Sequence, residues 1–145
     1  MSMTDKISIA IDGPSAAGKS TIARRIAQKY HYIYIDTGAM YRCIAYYMLA
    51  HQIDLQDEKA VSAKLDQLDI RLTNDGKVFL NGEEVTSVIR EDANSLAAST
   101  ISAYSKVRAF LVEMQQSMSQ GGGVVLDGRD IGTVVLPKAE LKIYQ

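Results

Sequence analysis

The sequence contains 145 residues, of which 47% are hydrophobic and 23% are charged, and this balance excludes an intrinsically disordered chain. The net charge of -1 provides no basic field for nucleic acid or a membrane surface, and the single cysteine, Cys43, excludes an internal disulfide framework. Asp5 and Lys6 near the N-terminus do not fit a signal peptide, and no apolar run approaches the roughly 18 residues of a membrane span. We therefore expect a cytoplasmic protein.

The first predicted strand and helix enclose a phosphate-binding loop. Residues 7–12 form a β-branched run typical of a buried parallel strand, and residues 21–30 carry their apolar side chains on one helical face. Between them the chain reads Gly13-Pro14-Ser15-Ala16-Ala17-Gly18-Lys19-Ser20-Thr21, which fits the pattern Gly, four residues, Gly, Lys, Ser. Backbone N–H groups of such a loop converge on an anion, Lys19 can reach the β- and γ-phosphates of a nucleotide, and the Ser20 hydroxyl can ligate Mg²⁺.

A second predicted strand, residues 31–36, leads into a polar cluster and then a helix over about residues 39–51. The polar cluster lies at the carboxyl end of the strand, the edge where open α/β sheets bind ligands, and consists of Asp36, Thr37, Tyr41 and Arg42. The sequence alone leaves two interpretations of Arg42 open, a solvated helix arginine and a phosphate contact.

The middle of the chain changes period. Residues 54–68 are predicted to be helical, whereas the short apolar runs at 70–72, 78–80 and Val85 are separated by turn sequences and predict a small antiparallel sheet. A helix is predicted next over about residues 91–102, with its apolar positions at Ala93, Leu96, Ala97 and Ile101.

The last predicted helix, residues 106–120 with Ser105 as its N-cap, precedes a strand at 124–127. That strand ends in Asp127, and in phosphate-loop proteins such an acid commonly positions Mg²⁺. Arg129 and Asp130 follow at the same edge, unless they form only a surface ion pair. The edge carries more positive charge than nucleotide binding alone requires, which predicts a second, anionic substrate facing the γ-phosphate.

Four segments together resemble the bacterial cytidylate kinases: Ile-Asp-Gly-Pro-Ser-Ala-Ala-Gly-Lys-Ser at 11–20, Asp-Thr-Gly-Ala-Met-Tyr-Arg at 36–42, Ser-Lys-Val-Arg at 105–108 and Asp-Gly-Arg-Asp-Ile-Gly-Thr at 127–133. The resemblance covers essentially the whole chain. It implies an α/β fold of the P-loop nucleoside monophosphate kinase type, a parallel sheet with flanking helices and a small antiparallel β insert. It also implies a core of residues 1–62 and 101–145 and a monophosphate-binding insert at about 63–100.

The resemblance implies that a monomer transfers the γ-phosphate of ATP to CMP or dCMP with Mg²⁺. It gives ATP binding to residues 13–21, the metal to Ser20 and Asp127, and catalysis to Lys19, Asp127 and Arg129. Arg42 and Arg129 would hold the acceptor phosphate, and Ser99, Arg108 and Asp130 would read the cytosine or nucleoside. The whole set of implied acceptor residues is Asp36, Thr37, Tyr41, Arg42, Ser99, Arg108, Arg129 and Asp130.

The bacterial cytidylate kinases continue beyond this length, through a helix, an arginine-bearing lid and a final strand and helix. We therefore expect the C-terminal part of the fold to be missing here, and the 145 residues to have weak or no activity alone. Three alternatives stay open: another small P-loop kinase acting on UMP, dTMP or shikimate, a nucleotide-binding fragment of a larger assembly, and a GTPase-type switch. The switch is disfavoured because such proteins usually have Gly where this chain has Asp130.

Overall fold

A four-stranded parallel sheet organises the fold. The computed structural model describes residues 7–13, 19–73, 75–128 and 135–144, with only the backbone of Lys19, Ser20 and Tyr144. The strand order is β2-β6-β1-β7, with β1 Ser8–Asp12, β2 Ile33–Asp36, β6 Val124–Gly128 and β7 Leu141–Tyr144. Because β6 lies between β1 and β2, the ends of three predicted strands meet at one edge of the sheet.

Helix α1 (Lys19–Tyr30) covers one face of this sheet. Ile9, Ile11 and Val125 form a buried cluster with Ala23 and Ala27 of the helix, whose small side chains let the backbone approach the strands closely. The alternate strand positions, Ala10 and Leu126 among them, are fully buried as well. Both faces of these strands are therefore buried, as predicted for a parallel sheet. Burial of each isoleucine stabilises the fold by about 1.5–3 kcal/mol.

The structure differs from the prediction of one helix over residues 54–68, which was wrong. Only Glu58–Ser62 (α3) is α-helical, followed by a 3₁₀ turn at Leu65–Gln67. The Asp54 carboxylate accepts a hydrogen bond from the N–H of Gln56 at 3.0 Å, and the Asp57 carboxylate caps α3 by accepting from the N–H of Ala60 at 3.2 Å. Side-chain acceptors of this kind favour turns and N-caps over a helix interior. The preceding helix, α2, runs over Thr37–Ala50 and begins earlier than predicted.

The predicted antiparallel sheet is confirmed, although its third strand ends just before Val85, where it was predicted. It consists of β3 (Ile70–Leu72), β4 (Val78–Leu80) and β5 (Glu83–Glu84), in that order. Asn81 and Gly82 connect the last two strands with φ values of 50° and 85°. A two-residue hairpin turn with positive φ at both positions favours this dipeptide.

Helix α4 (Asp92–Ile101) turns only part of the predicted face to the core, with Ala97 and Ile101 buried as predicted. Ala93 and Leu96 are exposed, whereas Asn94 is buried. The side-chain amide of Asn94 donates to the carbonyl of Val88 at 2.6 Å, so a polar residue occupies the inward position. Helix α5 runs over Ser105–Met118, which makes Ser105 its first residue, not the predicted N-cap.

The chain forms two compact units. One comprises Met1–Thr37, Thr73–Asp75 and Val112–Gln145 and holds the parallel sheet; the other comprises Gly38–Leu72 and Gly76–Leu111 and holds the antiparallel sheet. The predicted division into a core and an insert at about 63–100 stays a prediction. In the described part of the chain, none of the helices has the length and apolar character needed to cross a membrane.

Candidate functional site

The entrance to the predicted phosphate loop has the required backbone. Gly13 follows β1 directly and has a φ of 147°, a value that residues with a side chain rarely adopt. Helix α1 begins at Lys19, so a strand precedes the loop and a helix N-terminus follows it. Residues 14–18, Pro14 to Gly18, lie outside the described residues, as do the side chains of Lys19 and Ser20, while Thr21 is exposed in the first turn of α1.

Two acidic residues are paired across neighbouring strands at the carboxyl edge of the sheet. Asp127 of β6 is in register with Asp36 of β2 on one side and with Ile11 of β1 on the other. Residues in register on adjacent strands point to the same face of a sheet, and Asp127 is only 4% exposed. Like charges placed side by side disfavour each other, and a cation bound between them would offset that repulsion.

Tyr34, which the sequence alone did not single out, holds the side chain of Asp127. Its hydroxyl donates to Oδ2 of Asp127 at 2.8 Å. Burial, and then the negative charges of Asp36 and Asp127, raise the pKa of Tyr34 far above its usual value, so the phenol remains a hydrogen-bond donor. The guanidinium carbon of Arg24, on α1, lies 5.9 Å from the centroid of the Tyr34 ring.

Thr37 holds the backbone of the same residue. Its hydroxyl donates to the carbonyl oxygen of Asp127 at 2.9 Å, and both residues are buried. Thr37 is the first residue of α2, so this bond connects the end of β6 to the junction of β2 and α2. The predicted position of Thr37 at the acceptor pocket stays a prediction.

In the second unit, Tyr41 and Arg108 lie within electrostatic reach of each other. Burial raises the pKa of Tyr41, and the positive charge of Arg108 opposes that rise. Arg42 is half-buried beside Tyr41 on α2. Ser99 is exposed on α4 and donates its hydroxyl to the carbonyl of Ser95 at 3.3 Å. The charge of Arg108 therefore acts on Tyr41, and the predicted roles of both residues stay predictions.

Asp36, Thr37 and Asp127 form a group of predicted residues that the structure brings together. Arg129 and Asp130 follow β6 directly but lie outside the described residues. Within the described ranges, no three histidine, cysteine, aspartate or glutamate side chains are placed to hold a metal ion. One or two carboxylates are nevertheless what Mg²⁺ uses when nucleotide phosphates supply its remaining ligands.

Comparisons with known proteins agree on one family. The family model described as cytidylate kinase matches residues 9–145. The chain is 54% identical to a cytidylate kinase of Bacillus subtilis over 98% of its own length, 50% identical to one of Geobacillus kaustophilus over 98%, and 51% identical to one of Enterococcus faecalis over 96%. It spans 65%, 65% and 63% of the length of these relatives.

Proposed function

The chain belongs to the cytidylate kinase family, and on that premise we propose that it transfers the γ-phosphate of ATP to CMP or dCMP. The products are ADP and CDP or dCDP. The observation that carries the proposal is the match of the family model to residues 9–145. Acceptor choice, the ATP site and action as a cytoplasmic monomer all belong to this proposal.

The donor side of the proposed reaction uses the edge of the parallel sheet. Phosphoryl transfer requires positioning and neutralisation of charge more than covalent chemistry. The positive φ of Gly13 and the N-terminus of α1 support phosphate binding there. Glycine lets the backbone approach a ligand closely, and backbone N–H groups at a helix N-terminus attract anions. We assign Lys19 to the β- and γ-phosphates on the loop pattern.

Asp127 is the proposed acid next to the metal, with the Ser20 hydroxyl as the second protein ligand. The paired acidic residues Asp36 and Asp127 fit a divalent cation whose remaining ligands come from the nucleotide phosphates. When bound, Mg²⁺ neutralises charge on the transferring phosphoryl group. The protein's part is to keep Asp127 in place, which the bonds from Tyr34 and Thr37 support.

The acceptor side of the proposal uses cationic side chains. Arg42 and Arg129 bind the phosphate of CMP, since two anionic substrates otherwise repel each other. Arg108, Asp130 and Ser99 read the cytosine, whose amino donor and ring acceptors suit a carboxylate and an arginine. The proximity of Arg108 to Tyr41 supports an acceptor role for both residues.

Binding and turnover measured together test the proposal, because the 145 residues are expected to turn over weakly. Calorimetric titration is expected to show tighter binding of CMP than of UMP. A separate assay of ADP release is expected to show turnover only when CMP or dCMP is present. Asp127→Asn should abolish the metal-dependent part of ATP binding, whereas the exposed control Asp66→Asn should leave it unchanged.

Arg108 provides the test of acceptor selectivity. Arg108→Ala should weaken CMP binding more than ATP binding, while Lys106→Ala, exposed on the same helix, should leave both unchanged. Equal loss for every nucleoside monophosphate would favour a kinase for another acceptor. GTP binding tighter than ATP binding would instead favour a nucleotide switch.

A further inference from the structure

We propose that Tyr34 is a positioning residue that fixes the Asp127 carboxylate for the metal–nucleotide complex, an inference that rests on the proposed function. The Tyr34 hydroxyl acts through Asp127 and is not assigned a contact with substrate. Its strand, β2, is adjacent to β6 in the sheet, so its side chain reaches the acid across one strand spacing. Nothing in the phosphate-loop pattern indicates this tyrosine.

The register of the two strands explains why this residue reaches the acid. Tyr34 pairs with Val125, so Asp127 lies two residues further along the neighbouring strand on the same face. A tyrosine side chain is long enough to reach this diagonal neighbour on the adjacent strand, and its hydroxyl donates to Oδ2 of Asp127 at 2.8 Å. The bond therefore restricts rotation of a buried carboxylate whose orientation sets where its oxygens point.

Arg24 restrains the tyrosine ring in turn. Its guanidinium carbon lies 5.9 Å from the ring centroid, within the range of a cation–π interaction. Arg24 belongs to α1, the helix that follows the proposed phosphate loop. Contacts thus run from α1 through Tyr34 of β2 to Asp127, the proposed metal ligand.

The Thr37 bond does not replace this contact, because it reaches a different part of the same residue. Thr37 holds the backbone carbonyl of Asp127, whereas Tyr34 holds a carboxylate oxygen. Loss of the tyrosine hydroxyl alone should therefore leave β6 in place and release only the side chain. This separation makes Tyr34→Phe, which keeps the ring, a selective perturbation.

Calorimetric titration of the 145-residue chain with ATP tests the inference, once with Mg²⁺ and once with EDTA. Groups that orient a metal ligand commonly contribute 10–100-fold to metal affinity, so Tyr34→Phe should weaken MgATP binding by about 10-fold. Binding of ATP in EDTA should not change. The ratio of the two dissociation constants isolates the metal-dependent part and requires no turnover.

Tyr32→Phe is the matched control. The Tyr32 hydroxyl accepts a hydrogen bond from the N–H of Ile7 at 3.1 Å, so this variant also loses one hydroxyl bond in the same sheet. That bond lies at the amino end of β1, away from Asp127. Both variants should lower the thermal unfolding temperature, whereas only Tyr34→Phe should change the ratio.

Arg24→Gln provides a second variant should Tyr34→Phe not fold. An exposed cation–π contact corresponds to about a two- to five-fold change, so MgATP binding should weaken by that factor, with the exposed Arg25→Gln as control. The inference is overturned when Tyr34→Phe keeps the MgATP affinity of the unaltered chain, or loses affinity equally with and without Mg²⁺. An unaltered chain that does not bind MgATP would overturn the proposed function and this inference together.

Discussion

Helix α4 offers a sharp test of the fold, because its buried face is polar at one position and its exposed face is apolar at another. Leu96 is 74% exposed, and Asn94 is 4% exposed with its amide bonded to the Val88 carbonyl. Leu96→Ala should therefore change the free energy of unfolding by less than about 0.5 kcal/mol, as surface substitutions do. Asn94→Ala should cost about 1–3 kcal/mol, because it removes a bond and leaves a carbonyl without that donor.

Urea unfolding of the two variants, followed by circular dichroism, measures both values under identical conditions. A sequence-based interpretation of α4 predicts the reverse order, since truncation of a buried leucine costs about 2–5 kcal/mol. A loss above about 2 kcal/mol for Leu96→Ala, with no loss for Asn94→Ala, would refute the orientation of α4 described above.

Three further predictions concern single residues. Burial raises the pKa of the Cys43 thiol to about 12, so the thiol of the unfolded chain loses its proton first as the pH rises above 9. The free energy of unfolding should therefore fall in that range. The urea midpoint of the unaltered chain should decline more steeply between about pH 9 and 10 than that of Cys43→Ala. The same thiol, fully buried, should react with a disulfide reagent only after unfolding, monitored by absorbance. Asp57→Ala should lower the free energy of unfolding by about 1 kcal/mol in urea titrations, because it removes the N-cap of α3, while the exposed Asp66→Ala should cost less.

The parallel sheet was predictable because its signals are local. The run at 7–12 alternates isoleucines with small residues, the run at 124–127 is apolar until Asp127, and each becomes a strand. The hairpin at Asn81-Gly82 was predictable for the same reason, since its turn residues satisfy a backbone requirement that neighbouring segments do not alter.

The errors arose where side chains decide between local alternatives. Periodicity favours a helix through residues 54–68, but the carboxylates of Asp54 and Asp57 bind nearby backbone N–H groups and delay the helix to Glu58. On α4, Asn94 is inward because a carbonyl outside the helix, that of Val88, accepts from its amide. Hydrophobicity patterns carry no information about such a partner.

The candidate site was predictable as a set of residues and not as a set of contacts. Asp36 and Asp127 were identified from their positions at the ends of predicted strands, but their adjacency depends on β6 pairing with β2, a neighbour distant in the chain. The same strand order brings Tyr34 to Asp127. Tyr34 and Asp36 are two positions apart in the predicted strand 31–36, and this spacing, which puts both on one face, is the sequence signal for the proposed role of Tyr34.

The most direct test of the central claim follows the transferred phosphoryl group itself. The chain, at high concentration to reveal weak turnover, is incubated with Mg²⁺, ATP labelled in its γ-phosphate and one acceptor at a time: CMP, dCMP, UMP or dTMP. We expect label in CDP and dCDP, and loss of that label with Asp127→Asn. Label in UDP or dTDP in preference to the cytidine products, or label in inorganic phosphate alone, would contradict the proposed function.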